Sequence, residues 1–93
     1  VGVAMANKIK NKKDKVWIFI GDMTYETGIF HECHKYAIQN NLNINFIVED
    51  NDMSTNTPTS KIWKYKTKAL KNVQKYKYKR KFPHHGTGSW ILF

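Results

Sequence analysis

Residues 15–59 limit the folds open to this chain more than any other stretch, because two apolar segments flank a helical one. Residues 16–20 are apolar without interruption, which is typical of a strand buried on both faces, and Gly21 ends the run. A helix is predicted from Gly28 to Gln39, where apolar residues recur at helical spacing, and a second strand over residues 44–48. This order predicts a βαβ unit with parallel strands, and therefore an α/β fold.

Acidic and amide residues occupy the positions just after each predicted strand. Asp22 follows the first strand, and residues 49–52 (Glu-Asp-Asn-Asp) follow the second. Ligands of open α/β sheets bind outside the carboxyl ends of the strands, where neighbouring parallel strands would bring Asp22 near Asn51. Their oxygens, with a backbone carbonyl, suit Mg²⁺ that also holds a diphosphate, and the helix N-terminus after Thr27 favours an anion. The alternative is that both are ordinary turn residues.

Residues 21–33 (GDMTYETGIFHEC) and 48–58 (VEDNDMSTNTP) carry a family resemblance. They resemble the signature of thiamine-diphosphate enzymes, most closely the α subunit of the first component of 2-oxo-acid dehydrogenases, and transketolases share the motif. The resemblance extends over about residues 1–59 and implies a partial thiamine-diphosphate-binding fold, a small mostly parallel sheet with flanking helices. It further implies the residues that bind the cofactor and its Mg²⁺. Asp22, Asn51 and the backbone carbonyl of Met53 would be metal ligands, and Gly21 and Met23 would also contact the cofactor.

The same resemblance implies a function that the chain performs together with another domain or subunit. The chain would bind thiamine diphosphate through Mg²⁺ for 2-oxo-acid decarboxylation or dehydrogenation, or for ketol transfer from a sugar phosphate. In this family a glutamate from a separate domain or subunit contacts the aminopyrimidine, and nothing in this sequence matches it. We therefore expect a homo- or hetero-oligomer in which another chain supplies the pyrimidine-binding domain, and no turnover by this chain alone.

The chain has 93 residues, a length that allows one small domain over residues 1–93, and its net charge is +9. It is too short for a complete domain of this family, so we expect a fragment. Ten of its sixteen basic residues lie between Lys61 and Lys81, and no acid follows Asp52, so residues 60–93 form a basic segment that favours anionic partners. The alternative function is a non-catalytic binding module for nucleic acid or an acidic protein. Met23 favours it, because the thiamine-diphosphate signature that this stretch resembles has glycine at that position (Gly-Asp-Gly).

Several smaller predictions concern single residues. The lone Cys33 excludes an internal disulfide, is compatible with a cytoplasmic location, and is expected to pack on the helix. His31 and His34 are expected to face solvent or a subunit rather than a metal. Thr27 is predicted to cap the helix, whereas Glu26 is open between a capping and a site role.

The second half of the chain is predicted to hold shorter elements. Residues 61–70 suit a helix capped by Ser60, and the Lys-Tyr alternation of residues 73–82 predicts a strand with one face packed. We prefer packing of these tyrosines to stacking on nucleic acid bases. Residues 84–88 (His-His-Gly-Thr-Gly) read as a turn and residues 89–93 as a last strand. No apolar stretch is long enough to span a membrane.

Overall fold

A computed structural model describes residues 1–64, 67–79 and 81 of the chain. The helices within this part are α1 (Gly2–Ile9), α2 (Asp22–Tyr25), α3 (Gly28–Gln39) and α4 (Thr59–Ile62). The strands are β1 (Val16–Gly21), β2 (Ile44–Asp50), β3 (Met53–Ser54), β4 (Thr57–Pro58) and β5 (Val73–Lys77). The predicted turn at 84–88, the last strand and the end of the strand at Phe82 lie outside the described residues.

The main sheet has three strands in the order β1-β2-β5, and both pairs are parallel. The register places Val16 beside Ile44 and Gly21 beside Glu49, so the two strands end at the same edge. β3 and β4 form a separate antiparallel pair after β2. The predicted α/β class and the parallel βαβ unit are confirmed.

The core lies between the central strand and the helices. Ile44, Phe46 and Val48 of β2 are almost fully buried, and Phe30 and Ala37 of α3 are buried in the same cluster. These side chains alternate along β2 and repeat with helical spacing on α3, so one face of each element meets the other. Burial of this apolar surface is the main favourable contribution to folding.

The prediction that β1 is buried on both faces is wrong. Burial alternates along the strand, and Trp17 and Phe19 are 50% and 63% exposed. β1 is at the edge of the sheet, and the described helices cover only the face that carries Val16, Ile18 and Ile20. Within the described part of the chain, therefore, the second face of β1 stays largely exposed, although the apolar run suits a sheet that is covered on both sides.

Helix α3 begins and ends at the predicted residues. Its predicted cap is confirmed, since the Thr27 side chain accepts a hydrogen bond from the Phe30 backbone N–H at 3.4 Å. The predicted packing of Cys33 is wrong because this residue is exposed. The buried stripe instead runs through Phe30, His34 and Ala37, so the prediction of a solvent or subunit role for His34 is also wrong.

The predicted helix over residues 61–70 is wrong. Helix α4 ends at Ile62, because Trp63 adopts an extended backbone (φ −108°, ψ 95°). The connecting segment, residues 67–72, is instead fixed to α2 and α3 through its own backbone. The Tyr25 hydroxyl donates to the Lys68 carbonyl at 3.0 Å, and His34 Nε2 donates to the Lys71 carbonyl at 2.7 Å. These contacts satisfy backbone groups that a helix would otherwise pair.

The segment then enters β5, which is shorter than predicted and ends at Lys77. No helix in the described ranges is both long and apolar enough to cross a bilayer.

Candidate functional site

A cleft of about 570 Å³ opens beyond the carboxyl ends of the three main strands. Its lining mixes both signs of charge. The carboxylates come from Asp22, Glu26, Asp50 and Asp52, and the lysines are Lys75, Lys77 and Lys79. Asn51, Thr59, Ser60, Trp63 and Tyr78 complete the lining. The predicted meeting of Asp22 and Asn51 therefore occurs, because β1 and β2 end side by side.

Asp22 is the first residue of α2, directly after the extended Gly21 that joins this helix to β1. The side chain is only 3% exposed, and its Oδ2 atom has no hydrogen-bond partner among the described residues. A buried carboxylate oxygen without a partner is costly, because the charge loses its hydration without compensation. A bound cation would supply that compensation, so this oxygen fits a metal ion.

Asn51 is held in a fixed orientation at the end of β2. Its Oδ1 accepts a hydrogen bond from the Met53 backbone N–H at 3.0 Å, and its Nδ2 donates to the Tyr78 hydroxyl at 3.1 Å. An amide oxygen has two lone pairs, so Oδ1 can still bind a cation. Tyr78 is a site residue that sequence reasoning missed. The only signal was its place directly after Lys77 in the Lys-Tyr alternation of residues 73–82.

Asp52 stabilises the loop between β2 and α4 through its hydrogen bonds. Its backbone is left-handed (φ 56°), and its carboxylate accepts hydrogen bonds from the Ser60 N–H and hydroxyl, each at 2.8 Å. Its carbonyl also accepts from the Thr59 N–H at 3.1 Å. These bonds close the β3–β4 hairpin against the start of α4. The predicted capping role of Ser60 is thereby replaced by a contact with Asp52.

The lysines of the cleft differ in how far they are already paired. Lys75 Nζ lies 3.2 Å from Asp50 Oδ2 and also sits over the Tyr25 ring at 5.4 Å. Lys77 and Lys79 form no ion pair with any described carboxylate. They therefore leave positive charge at the mouth of the cleft for an anionic ligand.

Glu26, which the sequence left between two roles, contacts the connecting segment. Its Oε2 accepts from the Thr67 hydroxyl at 2.6 Å and from the Thr67 N–H at 3.3 Å. Burial, followed by the nearby Glu26 charge, raises the pKa of Tyr25 above its usual value. This glutamate thus stabilises the wall of the cleft and favours the neutral form of the neighbouring phenol.

The other predicted site residues lie beside the cleft but do not line it. Met23 Sδ accepts a hydrogen bond from Trp63 Nε1 at 3.2 Å, and Met53 pairs with Pro58 in the small sheet. A Cβ added at Gly21 would meet nothing within 4 Å, so there is open space beside this backbone. No group of three His, Cys, Asp or Glu side chains in the described part could hold a metal. A metal here would need amide or carbonyl oxygens as well.

A sequence model of the family 1-deoxy-D-xylulose-5-phosphate synthase matches residues 1–88. No curated protein and no solved structure matches the chain. The match agrees with the thiamine-diphosphate resemblance on its transketolase-like side and gives no support to the dehydrogenase α subunit. Since it covers nearly the whole sequence, the chain belongs to the 1-deoxy-D-xylulose-5-phosphate synthase family, as a thiamine-diphosphate-dependent, transketolase-like N-terminal domain.

Proposed function

We propose that the cleft binds the diphosphate end of thiamine diphosphate through Mg²⁺, as part of an enzyme that transfers a ketol unit. The observation that carries the proposal is the buried, unpaired Oδ2 of Asp22 in a cleft that also contains the Asn51 amide. A hard cation is the ligand that such oxygens favour. Family membership supplies the cofactor class, and it favours ketol transfer over 2-oxo-acid dehydrogenation.

In this proposal the residues divide into metal-binding and anion-binding groups. Asp22, Asn51 and the backbone carbonyl of Met53 would hold Mg²⁺, and Tyr78 keeps the Asn51 amide in place. Lys77 and Lys79 would offset the negative charge of the diphosphate. When bound, thiamine diphosphate supplies the carbanion-stabilising chemistry, and the protein binds and orients it.

We propose further that the chain acts together with a second polypeptide or domain. The glutamate that would contact the aminopyrimidine has no counterpart in this sequence. An oligomer that supplies the pyrimidine-binding part would complete the site, with a sugar phosphate or a 2-oxo acid as substrate. The uncovered sheet face with Trp17 and Phe19 is compatible with a contact to additional protein.

A second candidate, a non-catalytic basic binding module, has one observation in its favour. Met23 stands where the motif has glycine, a residue that lets the backbone approach a phosphate closely. Its side chain is present at that position instead, and its sulfur accepts a hydrogen bond from Trp63. This candidate predicts retention of random-sequence DNA at low salt, lost steeply as salt rises, together with indifference to the cofactor.

The deciding experiment is calorimetric titration of thiamine diphosphate into the chain, with Mg²⁺ and again with EDTA. Asp22→Asn keeps the shape of the side chain and removes the charge, and Asp14→Asn is the matched control in an exposed loop. We expect binding that requires Mg²⁺, is lost in Asp22→Asn and is retained in Asp14→Asn. Equal binding in EDTA, or by Asp22→Asn, would contradict the proposal.

A further inference from the structure

We infer that the Thr59 hydroxyl is a further binding contact of the same cleft and donates a hydrogen bond to an oxygen of the bound diphosphate. This inference rests on the proposed function, and it adds a residue that neither the family motif nor the sequence analysis pointed to. It identifies which part of the β3–β4–α4 loop recognises the ligand.

The hydroxyl of Thr59 is buried without a partner. The residue is 8% exposed, lines the cleft, and its Oγ1 has no hydrogen-bond partner within the described ranges. Its backbone is fixed on both sides, since its N–H donates to the Asp52 carbonyl at 3.1 Å and its carbonyl accepts from the Trp63 N–H at 2.9 Å. A fixed backbone holds the side chain at the cleft, and a buried hydroxyl left unpaired needs an explanation.

The second unpartnered atom explains which ligand the hydroxyl fits. The buried side-chain atoms without a partner in the described part are Asp22 Oδ2 and Thr59 Oγ1, and both residues line one cleft. They have opposite capacities, because an ionised carboxylate only accepts hydrogen bonds and attracts cations, whereas a hydroxyl can donate to an anion. A magnesium diphosphate carries both a cation and anionic oxygens. One ligand would therefore satisfy both atoms at once.

The lysines of the cleft mouth agree with this assignment of the anion. Lys77 and Lys79 line the same cleft and form no ion pair with described carboxylates. A neutral donor at the buried end and positive charge at the mouth would hold a diphosphate along its length. Hydrogen bonds to charged groups are stronger than those between neutral groups.

The test compares Thr59→Val, which removes the hydroxyl at nearly equal volume, with Thr59→Ser, which retains it. Thr57→Val, on β4 and outside the cleft lining, is the matched control. The affinities of magnesium thiamine diphosphate and of magnesium pyrophosphate are measured by calorimetry. We expect Thr59→Val to weaken both by about tenfold or more, as loss of a hydrogen bond to a charged group implies. Thr59→Ser and Thr57→Val should bind nearly as the wild type does.

Two further readouts separate a ligand contact from a structural role. Thermal unfolding by circular dichroism should show ligand-free Thr59→Val melting no lower than the wild type, since the hydroxyl has no partner to lose. Mn²⁺ binding without diphosphate, followed by electron paramagnetic resonance, should not change. A lower melting temperature, weaker Mn²⁺ binding, or unchanged diphosphate affinity in Thr59→Val would each overturn the inference. Absence of binding by the wild type would instead refute the proposed function itself.

Discussion

The substitution Asp22→Asn should stabilise the ligand-free chain and weaken the ligand-bound one. In the wild type, folding buries a carboxylate to 3% exposure and leaves Oδ2 unpaired among the described residues. Three further carboxylates line the same cleft, and Asp50 among them is paired with Lys75. Asparagine keeps the volume of the side chain and removes its charge. The cost of desolvating the charge and the repulsion between Asp22 and the other carboxylates of the cleft therefore both decrease.

The size of the effect follows from these contacts. Leaving a buried acceptor unsatisfied costs about 1–3 kcal/mol, and a charged group costs more. Asparagine is itself polar and keeps part of that cost, so we expect the free energy of unfolding to rise by about 1–2 kcal/mol. For a domain of this size, each kcal/mol raises the melting temperature by about 4–8 °C.

Ligand should reverse the order of the two proteins. At a free ligand concentration of about one hundred times the dissociation constant, the wild type would gain about 2.7 kcal/mol, and Asp22→Asn would gain little. The assay is urea unfolding by circular dichroism, with and without magnesium thiamine diphosphate. Asp14→Asn should change the free energy by less than about 0.5 kcal/mol in both conditions, as exposed substitutions do.

One result would refute the reasoning directly. If ligand-free Asp22→Asn were less stable than the wild type, the carboxylate would have a favourable partner in the free chain. Its burial would then be no argument for a cation.

Three further predictions concern the surroundings of the cleft. Tyr78→Phe removes the hydroxyl that holds Asn51 and should weaken cofactor binding about fivefold, whereas Tyr76→Phe should not, in the same calorimetric titration. His34→Ala should lower the free energy of unfolding by about 2–4 kcal/mol, because a buried ring and its hydrogen bond to the connecting segment are lost, and His34→Gln should recover part of this in urea unfolding. The hydrogen bond to Glu49, then desolvation and the Glu49 charge, raise the pKa of Tyr76 above its usual value. The stability linked to this phenol is therefore present below the unfolded pKa and lost as the pH rises through the folded one. Difference absorbance titration of the wild type against Tyr76→Phe should show the raised pKa of this phenol, and Glu49→Gln should lower that pKa.

The parallel unit was predictable because local and long-range signals agreed. Uninterrupted apolar runs, a helical period between them and Thr27 as a cap all favour one arrangement, and α3 spans Gly28–Gln39 as predicted. Register then follows, since shifting a strand by one residue would move its buried side chains to the other face. The approach of Asp22 to Asn51 needed only this register and the shared edge of the sheet.

Helix α3 shows where composition misleads. Cys33 is an apolar residue that is exposed, whereas His34 is polar and lies in the buried stripe. The centroid of the His34 ring lies 5.8 Å from the ring centroids of both Phe30 and Phe46. Its Nε2 donates a hydrogen bond to the carbonyl of Lys71 in the connecting segment. Its hydrogen-bond partner is 37 positions away in the chain, so periodicity within the helix could not identify it.

The same limit applies to the cleft. Tyr78 lines it from just after β5 and Thr59 from the start of α4, and each depends on contacts outside its own stretch of chain. Residues 61–70 looked helical because propensity is local, yet Tyr25 and Glu26 hold residues 67 and 68 through side-chain hydrogen bonds. Tertiary contacts of this kind override helix propensity, which is worth only tenths of a kcal/mol per residue.

The order of the strands determines which anionic ligand the positive charge of the chain can favour. A net charge of +9 by itself favours any anionic partner. The order β1-β2-β5 brings the residues after β1 and β2, which are acidic and amide, beside the lysines that end β5. A free polyanion such as nucleic acid would be repelled by the carboxylates of that cleft, whereas a cation bound to a diphosphate matches both sides. The arrangement therefore favours a metal–diphosphate ligand over a nucleic acid at this edge of the sheet.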